Sequence, residues 1–133
     1  MVGILLMTHA PLGAAFLAAC AHVFRGPTEH LEAIDVIADQ DLGEVQNLAA
    51  AAIKRLDDGD GVLVITDVKG GTPANCCNRL ADAGRVEVIA GISLPMLLRA
   101  ITYRRDTLDV VVEMALAGAQ SGAVRVDNRT RVG

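Results

Sequence analysis

The sequence predicts an α/β fold: a doubly wound, mostly parallel sheet with helices on both faces. Short apolar runs alternate along the chain with segments whose apolar residues recur every three or four positions, as on one face of a helix. The run GVLVITD at Gly61–Asp67 is rich in β-branched residues and suits a strand buried on both faces. Of the 133 residues, 52% are hydrophobic and 2% aromatic, so the core is expected to consist of aliphatic side chains. Strands that alternate with helices imply right-handed crossovers and a parallel sheet.

The N-terminal half predicts two strand–helix units. Val2–Met7 is a buried strand, and the apolar residues of the helix that follows it are Leu12, Phe16, Ala19, Cys20 and Val23. Leu31–Ile37 is a weaker strand. Asp41 is expected to cap the next helix with Glu44 reciprocating, and the turn Asp57–Gly61 to end it. The predicted buried stripe of this helix comprises Leu42, Val45, Leu48, Ala49, Ala52, Ile53 and Leu56.

A third helix is predicted after Gly61–Asp67, the strand expected at the centre of the sheet. Thr72 is expected to cap this helix, with Pro73 at its first position and Gly84 as its stop. Val86–Ile92 is the fourth predicted strand.

Two more helices complete the prediction. One begins at Pro95 and ends near Tyr103, and the other is capped by Asp106 or Thr107 and runs through Ala119. The apolar side of the last helix carries Leu108, Val111, Val112, Ala115 and Leu116. A short strand is expected at Val124–Val126. The chain is therefore predicted to be one domain over residues 1–126, with a mobile tail over 127–133.

Composition argues against several classes of protein. The net charge is -4, no dense block of Lys and Arg is present, and few aromatic residues are available to stack on bases, which argues against nucleic-acid binding. The apolar N-terminal region has no basic residue before Arg25 and is interrupted by His9 and Pro11, unlike a secretory signal. No stretch is long enough to cross a bilayer. We therefore expect a cytoplasmic protein without direct membrane insertion.

The three cysteines agree with a reducing compartment. Their number is odd, and Cys76 and Cys77 are adjacent, which is poor geometry for a bridge between them. They are predicted to be small core residues. No ligand spacing of the C-x-x-C or H-x-x-x-H kind occurs, so no metal site and no cofactor are predicted.

The predicted fold places two chemically useful residues together. Ligands of such sheets bind beyond the carboxyl ends of the strands, where strand order reverses, so the loops at 8–11, 67–72 and 92–95 are expected to meet. His9 and Asp67 follow strands that would be neighbours. A carboxylate that accepts from one imidazole nitrogen leaves the other as a nucleophile and stabilises the positive charge that develops on attack. His9 is thus the predicted nucleophile and Asp67 its orienting partner.

The loop Gly70–Pro73 is predicted to bind a phosphate or another anion. Gly70 and Gly71 allow backbone amides to approach closely, a helix N-terminus favours negative charge, and Thr72 adds a hydroxyl. The loop lacks the Gly-Lys-Ser/Thr ending of a P-loop, so nucleotide binding is not predicted.

Each of these features also has a plainer interpretation. A histidine near a strand end is often a hydrogen-bonded structural residue, an aspartate after a strand is often a turn former, and Gly-Gly-Thr-Pro is also an ordinary helix start. His22 and His30 have no comparable partners and are interpreted as structural residues. Lys69 is either part of the site or a solvated loop charge.

Three separated motifs resemble the mannose-type EIIA domain of the bacterial phosphoenolpyruvate-dependent sugar phosphotransferase system. They are T-H after the first strand, V-L-V-I-T-D followed by x-x-G-G-T-P-x-N, and the later V-I-A-G-I-S-L-P-M-L. The resemblance covers Val2 to about Val126. It implies a doubly wound fold whose C-terminal strand, here Val124–Val126, is exchanged within a homodimer.

The resemblance also implies a function. In that family a histidine takes a phosphoryl group from the phosphocarrier HPr and passes it to an EIIB component. Carried over by motif position, His9 would be phosphorylated, Asp67 would be its hydrogen-bonded partner, and Thr72 with nearby amides would surround the phosphoryl oxygens. The sequence ends without the linker and EIIB domain that some relatives carry, so we expect a separate EIIB or regulatory protein as acceptor.

The sequence departs from the family pattern at two places and leaves other functions open. Val68 stands where a hydroxyl residue can occur in relatives, and Ala10 and Pro11 replace the glycine common after the histidine. The alternatives are a phosphoryl-relay subunit for dihydroxyacetone kinase, a non-enzymatic regulator that binds a partner in one phosphorylation state, and a small-molecule binding module with an unmodified His9.

Overall fold

The computed structural model describes residues 1–127, which form four strands and five helices. In chain order they are β1 (Gly3–His9), α1 (Leu12–Val23), β2 (Leu31–Val36), α2 (Leu42–Leu56), β3 (Val62–Thr66), α3 (Thr72–Asn78), β4 (Val86–Ala90), α4 (Leu94–Thr102) and α5 (Leu108–Gly122). No helix within this part of the chain combines the length and apolar character needed to span a membrane.

The four strands form one parallel sheet in the order β2-β1-β3-β4. The chain passes from β1 outward to β2 and then returns to the other side of β1 as β3, so strand order reverses between β1 and β3. In the register, Met7 lies opposite Thr66 and His9 lies opposite Val36. The predicted α/β fold with a parallel sheet and a central third strand is confirmed.

Helices pack on both faces of the sheet because side chains alternate along each strand. Leu6 and Ile65 point to the face covered by α1, α4 and α5, whereas Met7 and Val64 point to the face covered by α2 and α3. All residues of β3 are buried. Each fully buried aliphatic side chain contributes about 1.5–3 kcal/mol, so β1 and β3 form the most strongly anchored part of the fold.

The start of α3 differs from the prediction by one residue. Gly71, not Thr72, is the N-cap, because its backbone is extended and its carbonyl accepts the amide of Asn75 at 2.9 Å. Thr72 is therefore the first helical residue and Pro73 the second. The Thr72 side chain does not cap the helix.

The end of α3 differs more. The helix ends at Asn78 and does not continue to Gly84. Residues 82–85 form a turn, in which the Arg85 amide donates to the Asp82 carbonyl at 2.9 Å and Gly84 has φ +83°. Gly84 therefore serves this turn before β4 and does not terminate a helix, which leaves α3 only seven residues long.

The second helix keeps its predicted cap but has a narrower buried stripe. The Asp41 carboxylate accepts a hydrogen bond from the amide of Gly43 at 3.0 Å. Gly43 precedes Glu44, the residue that was predicted to reciprocate this cap. Leu42 and Leu48 are 50% and 46% exposed, so their predicted burial is wrong. Both lie beside the stripe of α2 that packs against the sheet. The buried residues of this stripe are Val45, Ala49, Ala52 and Leu56.

The C-terminal helices begin close to their predicted positions, although Leu116 of the predicted apolar side of α5 is 46% exposed. Ser93 and Thr107 cap α4 and α5 by accepting the amides of Met96 and Val110. After α5, which continues three residues past the predicted Ala119, the segment 124–126 forms no strand within the described residues. No strand of residues 1–127 pairs with it, so the predicted strand is absent from the described part of the chain. The tail predicted at 127–133 lies outside the described residues from position 128 on.

Candidate functional site

His9 and Asp67 meet at the carboxyl edge of the sheet, at the point where strand order reverses. His9 is the last residue of β1, and Asp67 directly follows β3. The distance from His9 Nδ1 to Asp67 Oδ2 is 2.8 Å, and the His9 backbone amide donates to the same oxygen at 3.0 Å. The other oxygen, Oδ1, accepts the amide of Val68 at 2.9 Å. The predicted pairing is therefore present in the fold.

The surroundings of Asp67 keep its carboxylate charged. Its side chain is only 8% exposed, and this burial acts to raise its pKa. Hydrogen bonds from the His9 amide, the His9 ring and the Val68 amide outweigh burial, and the pKa is lowered overall. An ionised carboxylate only accepts hydrogen bonds, so Nδ1 of a neutral His9 ring must carry the proton. The lone pair of that ring is then on Nε2.

Nε2 of His9 is left unpaired by the described residues, on an exposed side chain. The side chain is 54% exposed, and Nε2 has no hydrogen-bond partner within residues 1–127. A Cβ atom at Gly71 would lie 3.2 Å from His9 Cε1, which is tighter than an ordinary contact. Glycine at this position therefore leaves the ring room beside the loop.

The predicted phosphoryl-binding residues lie beside His9 but differ in what they offer. Gly70 has φ +85°, a conformation that favours glycine and turns the loop toward α3. The Gly71 amide donates to the Val68 carbonyl at 3.2 Å and is not free. Thr72 is exposed, and its hydroxyl has no partner among the described residues. Their role toward a phosphoryl group stays a prediction.

Asp35 is a residue of this edge that the sequence analysis missed. Its carboxylate accepts the amides of Gly13 at 2.8 Å and Ala14 at 3.2 Å, in the first turn of α1. The Thr8 hydroxyl lies 3.4 Å from the same carboxylate. The helix has no cap from its own N-cap residue, Pro11, so an acceptor from outside was needed. A lone aspartate at the end of the apolar strand β2 was the available signal.

The third predicted loop supports the site through its backbone. The amide of Gly91 donates to the Asp67 carbonyl at 3.0 Å, and that of Ile92 to the Thr66 carbonyl at 3.2 Å. Ser93 is occupied in capping α4. This loop therefore fixes the main chain around Asp67 and brings no side-chain hydrogen bond to His9.

One side of His9 borders an open cleft of about 310 Å³ toward the ends of β2 and α2. His9 and Thr72 form one wall, and residues 36–40 with Leu42 form the other. Ile37, Leu42 and Val68 around this edge are 60%, 50% and 58% exposed. Exposed aliphatic side chains around the exposed His9 ring suit contact with another protein.

Other candidate groups are less suited to this chemistry. Cys20, Cys76 and Cys77 are free and buried, as predicted, and burial raises the pKa of Cys77 to about 12. The Nε2 atom of His30 lies 3.5 Å from Asp58, which precedes β3 at the other end of the sheet. No group of three or more possible ligands among the described residues has the geometry to hold a metal ion.

Comparison with known proteins gives a consistent result. The family model EIIA-man, described as the PTS system fructose IIA component, matches residues 3–116. The chain is 30% identical over 124 residues to the PTS system mannose-specific EIIAB component of Escherichia coli K12, covering 91% of this chain but 38% of that relative. It is 26% identical over 105 residues to the PTS system fructose-specific EIIA component of Bacillus subtilis 168, covering 78% of this chain and 71% of that protein.

Solved structures of similar chains share the whole fold. Phosphotransferase system component EIIA from Streptococcus agalactiae superposes with a TM-score of 0.83 at 25% identity, covering 94% of this chain and 97% of that one. The mannose/sorbose specific IIA subunit from Enterococcus faecalis gives a TM-score of 0.81 at 25% identity, with 95% of both chains covered.

Proposed function

This chain belongs to the EIIA-man family of phosphotransferase-system IIA components, and from that premise we propose that it carries a phosphoryl group on Nε2 of His9. The observation that carries the proposal is the 2.8 Å hydrogen bond between His9 Nδ1 and Asp67, on an exposed ring whose Nε2 has no partner within residues 1–127. The pair supplies a nucleophile with a fixed tautomer and an anion next to the nitrogen that becomes part of a cation.

The transfer exchanges one bond to phosphorus for another. The Nε2 lone pair of His9 attacks the phosphorus of the donor in line, and the N–P bond forms as the bond to the donor breaks. The electron pair of the broken bond leaves with the donor. The Nδ1 proton stays in the hydrogen bond to Asp67, whose negative charge offsets the positive charge that develops on the imidazole. The reverse exchange delivers the group to an acceptor, and no nucleotide is required.

The loop before α3 is suited to the phosphoryl oxygens. The Thr72 hydroxyl is free to donate, and Gly70 and Gly71 allow the backbone to come close to the ring. The Gly71 amide of this loop already donates to the Val68 carbonyl. We therefore expect the phosphoryl oxygens to accept mainly from the Thr72 hydroxyl. Preorganised donors of this kind act mainly by positioning and charge stabilisation.

The partners are proposed to be proteins. Phospho-HPr is the proposed donor, and a separate EIIB or regulatory protein is the proposed acceptor. Support comes from the exposure of His9 and of the neighbouring Ile37, Leu42 and Val68, which fits a site that docks two proteins in turn. We propose that the exchange takes place in the cytoplasm, which agrees with three free thiols.

A homodimer is proposed as the working assembly. β4 is an edge strand, and Val124 and Val126 after α5 are 68% and 89% exposed. Pairing of this segment with β4 of a second copy would satisfy the free edge and bury these valines. Light scattering is expected to give the mass of a dimer, and Val124→Lys to increase the share of monomer; a wild-type monomer at high concentration would contradict this assembly.

The phosphoryl-carrier proposal is tested by incubating the full chain with phosphoenolpyruvate, enzyme I and HPr, and measuring intact mass. We expect one acid-labile phosphoryl group on wild type and none on His9→Ala. Omission of HPr should prevent the mass gain. His30→Ala is the matched control, since this histidine also faces an aspartate but lies away from the site.

Two results would contradict the proposal. One is the absence of any mass gain in wild type when a known EIIA protein is phosphorylated in the same mixture. The other is an equal mass gain in the His9→Ala variant. Transfer from the phosphorylated protein to an EIIB protein or to a dihydroxyacetone kinase core would then identify the acceptor.

A further inference from the structure

Thr66 carries a buried hydroxyl that the fold leaves without a partner. Its residue is 1% exposed, and Oγ1 has no hydrogen-bond partner within residues 1–127. Buried polar side chains are nearly always paired, because an unpaired hydroxyl loses its hydration without compensation. Thr66 is therefore a buried polar group whose pairing residues 1–127 do not supply.

The hydroxyl-bearing side chain lies on the sheet face that α3 covers incompletely. Thr66 alternates with Leu63 and Ile65, which pack toward α4 and α5, so it shares its face with Val64. The seven residues of α3 do not reach across β4, and Val88 on the same face stays partly exposed. A cleft of about 390 Å³ opens between α3, β4 and the loop after β3, with Thr66 in its lining.

The lining of this cleft combines one cation, two amides and an apolar wall. Lys69, Asn75 and Asn78 are exposed, and their side chains have neither a hydrogen bond nor an ion pair with any described residue. Ala74 and Val88 supply apolar surface. His9 and Thr72 are not part of the lining, and Gly70 is the member of the predicted phosphoryl-binding loop that the cleft shares.

We propose that this cleft, the Thr66 cleft, binds a small organic anion, either a carboxylate or a phosphate monoester on a short carbon body. The anionic oxygens accept from the Lys69 ammonium and the Thr66 hydroxyl, and the carbon body lies against Ala74 and Val88. The amides of Asn75 and Asn78 are free to bond further polar groups of the ligand. A volume of this size accommodates a metabolite of a few carbon atoms.

Binding at this cleft would act on the loop that holds Asp67. Thr66 and Lys69 flank that residue in the chain, and Lys69 and Gly70 of the segment 67–71 line the cleft. An occupied cleft therefore restrains the segment that positions the Asp67 carboxylate. The ligand site itself does not depend on any chemistry at His9.

The experiment is a titration of the ¹⁵N-labelled full chain followed by amide chemical shifts. The probes share one carbon body: n-butyl phosphate, butyrate and the uncharged 1-butanol. We expect saturable shifts at Thr66, Lys69 and Asn75 with one or both anions, at a dissociation constant of about 1–10 mM for ligands this small. Comparison of the two anions decides between a phosphate ester and a carboxylate.

Three variants test the assigned contacts. Lys69→Gln is expected to weaken binding about threefold to fivefold, and Lys54→Gln, which changes the other lysine of the chain, to leave it unchanged. Thr66→Val keeps the shape and is expected to weaken binding about tenfold, with recovery in Thr66→Ser. His9→Ala should bind as wild type does, which separates this proposal from the phosphoryl-carrier function.

Several results would overturn the proposal. They are the absence of shifts at 50-fold excess over the expected constant (about 50–500 mM, from the same estimate), equal binding of 1-butanol, unchanged affinity in Lys69→Gln and Thr66→Val, or loss of binding in His9→Ala. The last result would place the anion at His9.

Discussion

Two aspartates lie on opposite sides of the end of β1, and their carboxylates have different hydrogen-bond partners. Asp35 lies in β2 and accepts two amides of α1, whereas Asp67 follows β3 and accepts the ring and amide of His9. Both carboxylates are hydrogen-bonded on both oxygens. Only the second has an exposed titratable side chain as its partner.

The Asp35 carboxylate thus has a structural role, and the Asp67 carboxylate is the one that contacts a side chain proposed to react. Asp35 satisfies amides at the N-terminus of α1 and so anchors the segment that follows His9. Asp67 holds an imidazole and leaves its other nitrogen open. We therefore expect changes at Asp35 to act mainly on stability and changes at Asp67 mainly on phosphoryl transfer.

The largest effect is expected from Asp67→Ala. Without the carboxylate the His9 ring loses its fixed tautomer and the charge that stabilises its cation, so the rate of phosphorylation by phospho-HPr should fall about 100-fold or more. Rapid-quench measurement of acid-labile phosphate gives this rate. A rate within twofold of wild type, in a variant with a native circular dichroism spectrum, would show that Asp67 has only a structural role, like Asp35.

Asp35→Ala is expected to lower the free energy of unfolding by about 1–2 kcal/mol, because two amides of α1 lose their acceptor. Urea unfolding at pH 7 measures this change. The folded variant should be phosphorylated at close to the wild-type rate. A rate loss as large as that of Asp67→Ala, with unchanged stability, would remove the distinction between the two aspartates.

Gly71→Ala is expected to have a smaller effect on rate, with a modest loss of stability because alanine is a poorer N-cap than glycine. The new methyl group would meet His9 Cε1 at 3.2 Å, and the exposed ring would shift by a few tenths of an ångström. A shift of that size should slow phosphorylation about threefold to tenfold. Gly43→Ala is the control, since a Cβ there meets only the Asp41 side chain at 3.5 Å or more.

The smallest effect concerns the pH dependence of stability. The folded-state pKa of Asp67 is lowered by its hydrogen bonds from His9 and Val68, which outweigh burial. Its stabilisation is therefore fully present above the unfolded pKa of about 3.9 and is lost as pH falls through the folded value. The stability difference between wild type and Asp67→Asn should shrink below pH 4; a difference that grows there would contradict the lowered pKa.

Most of the fold followed from periodicity, and the His9–Asp67 pair followed from topology. Both residues end central apolar strands, and parallel neighbours bring such ends together. Asp35 was missed because its role depends on α1 lacking a cap of its own, which is a tertiary property. Leu42 and Leu48 were misplaced because helical spacing identifies a face but not how much of it the sheet covers.

The end of α3 illustrates a second limit. Gly84 is a normal helix stop in sequence terms, yet it serves the turn that starts β4. Because α3 ends early, the Thr66 cleft lies open between α3 and β4. The cleft therefore could not be predicted from a sequence in which the helix was expected to reach Gly84.

The adjacency of β1 and β3 also bears on when the protein becomes competent during its synthesis. His9 and Asp67 are 58 positions apart, and the carboxylate reaches the ring only after β3 has paired with β1 in the correct register. A nascent chain that has made only β1, α1, β2 and α2 contains the histidine but not its partner. Closing so long a loop is slow compared with helix formation. With the proposed role of His9, we therefore expect only chains whose central strands have assembled to accept a phosphoryl group.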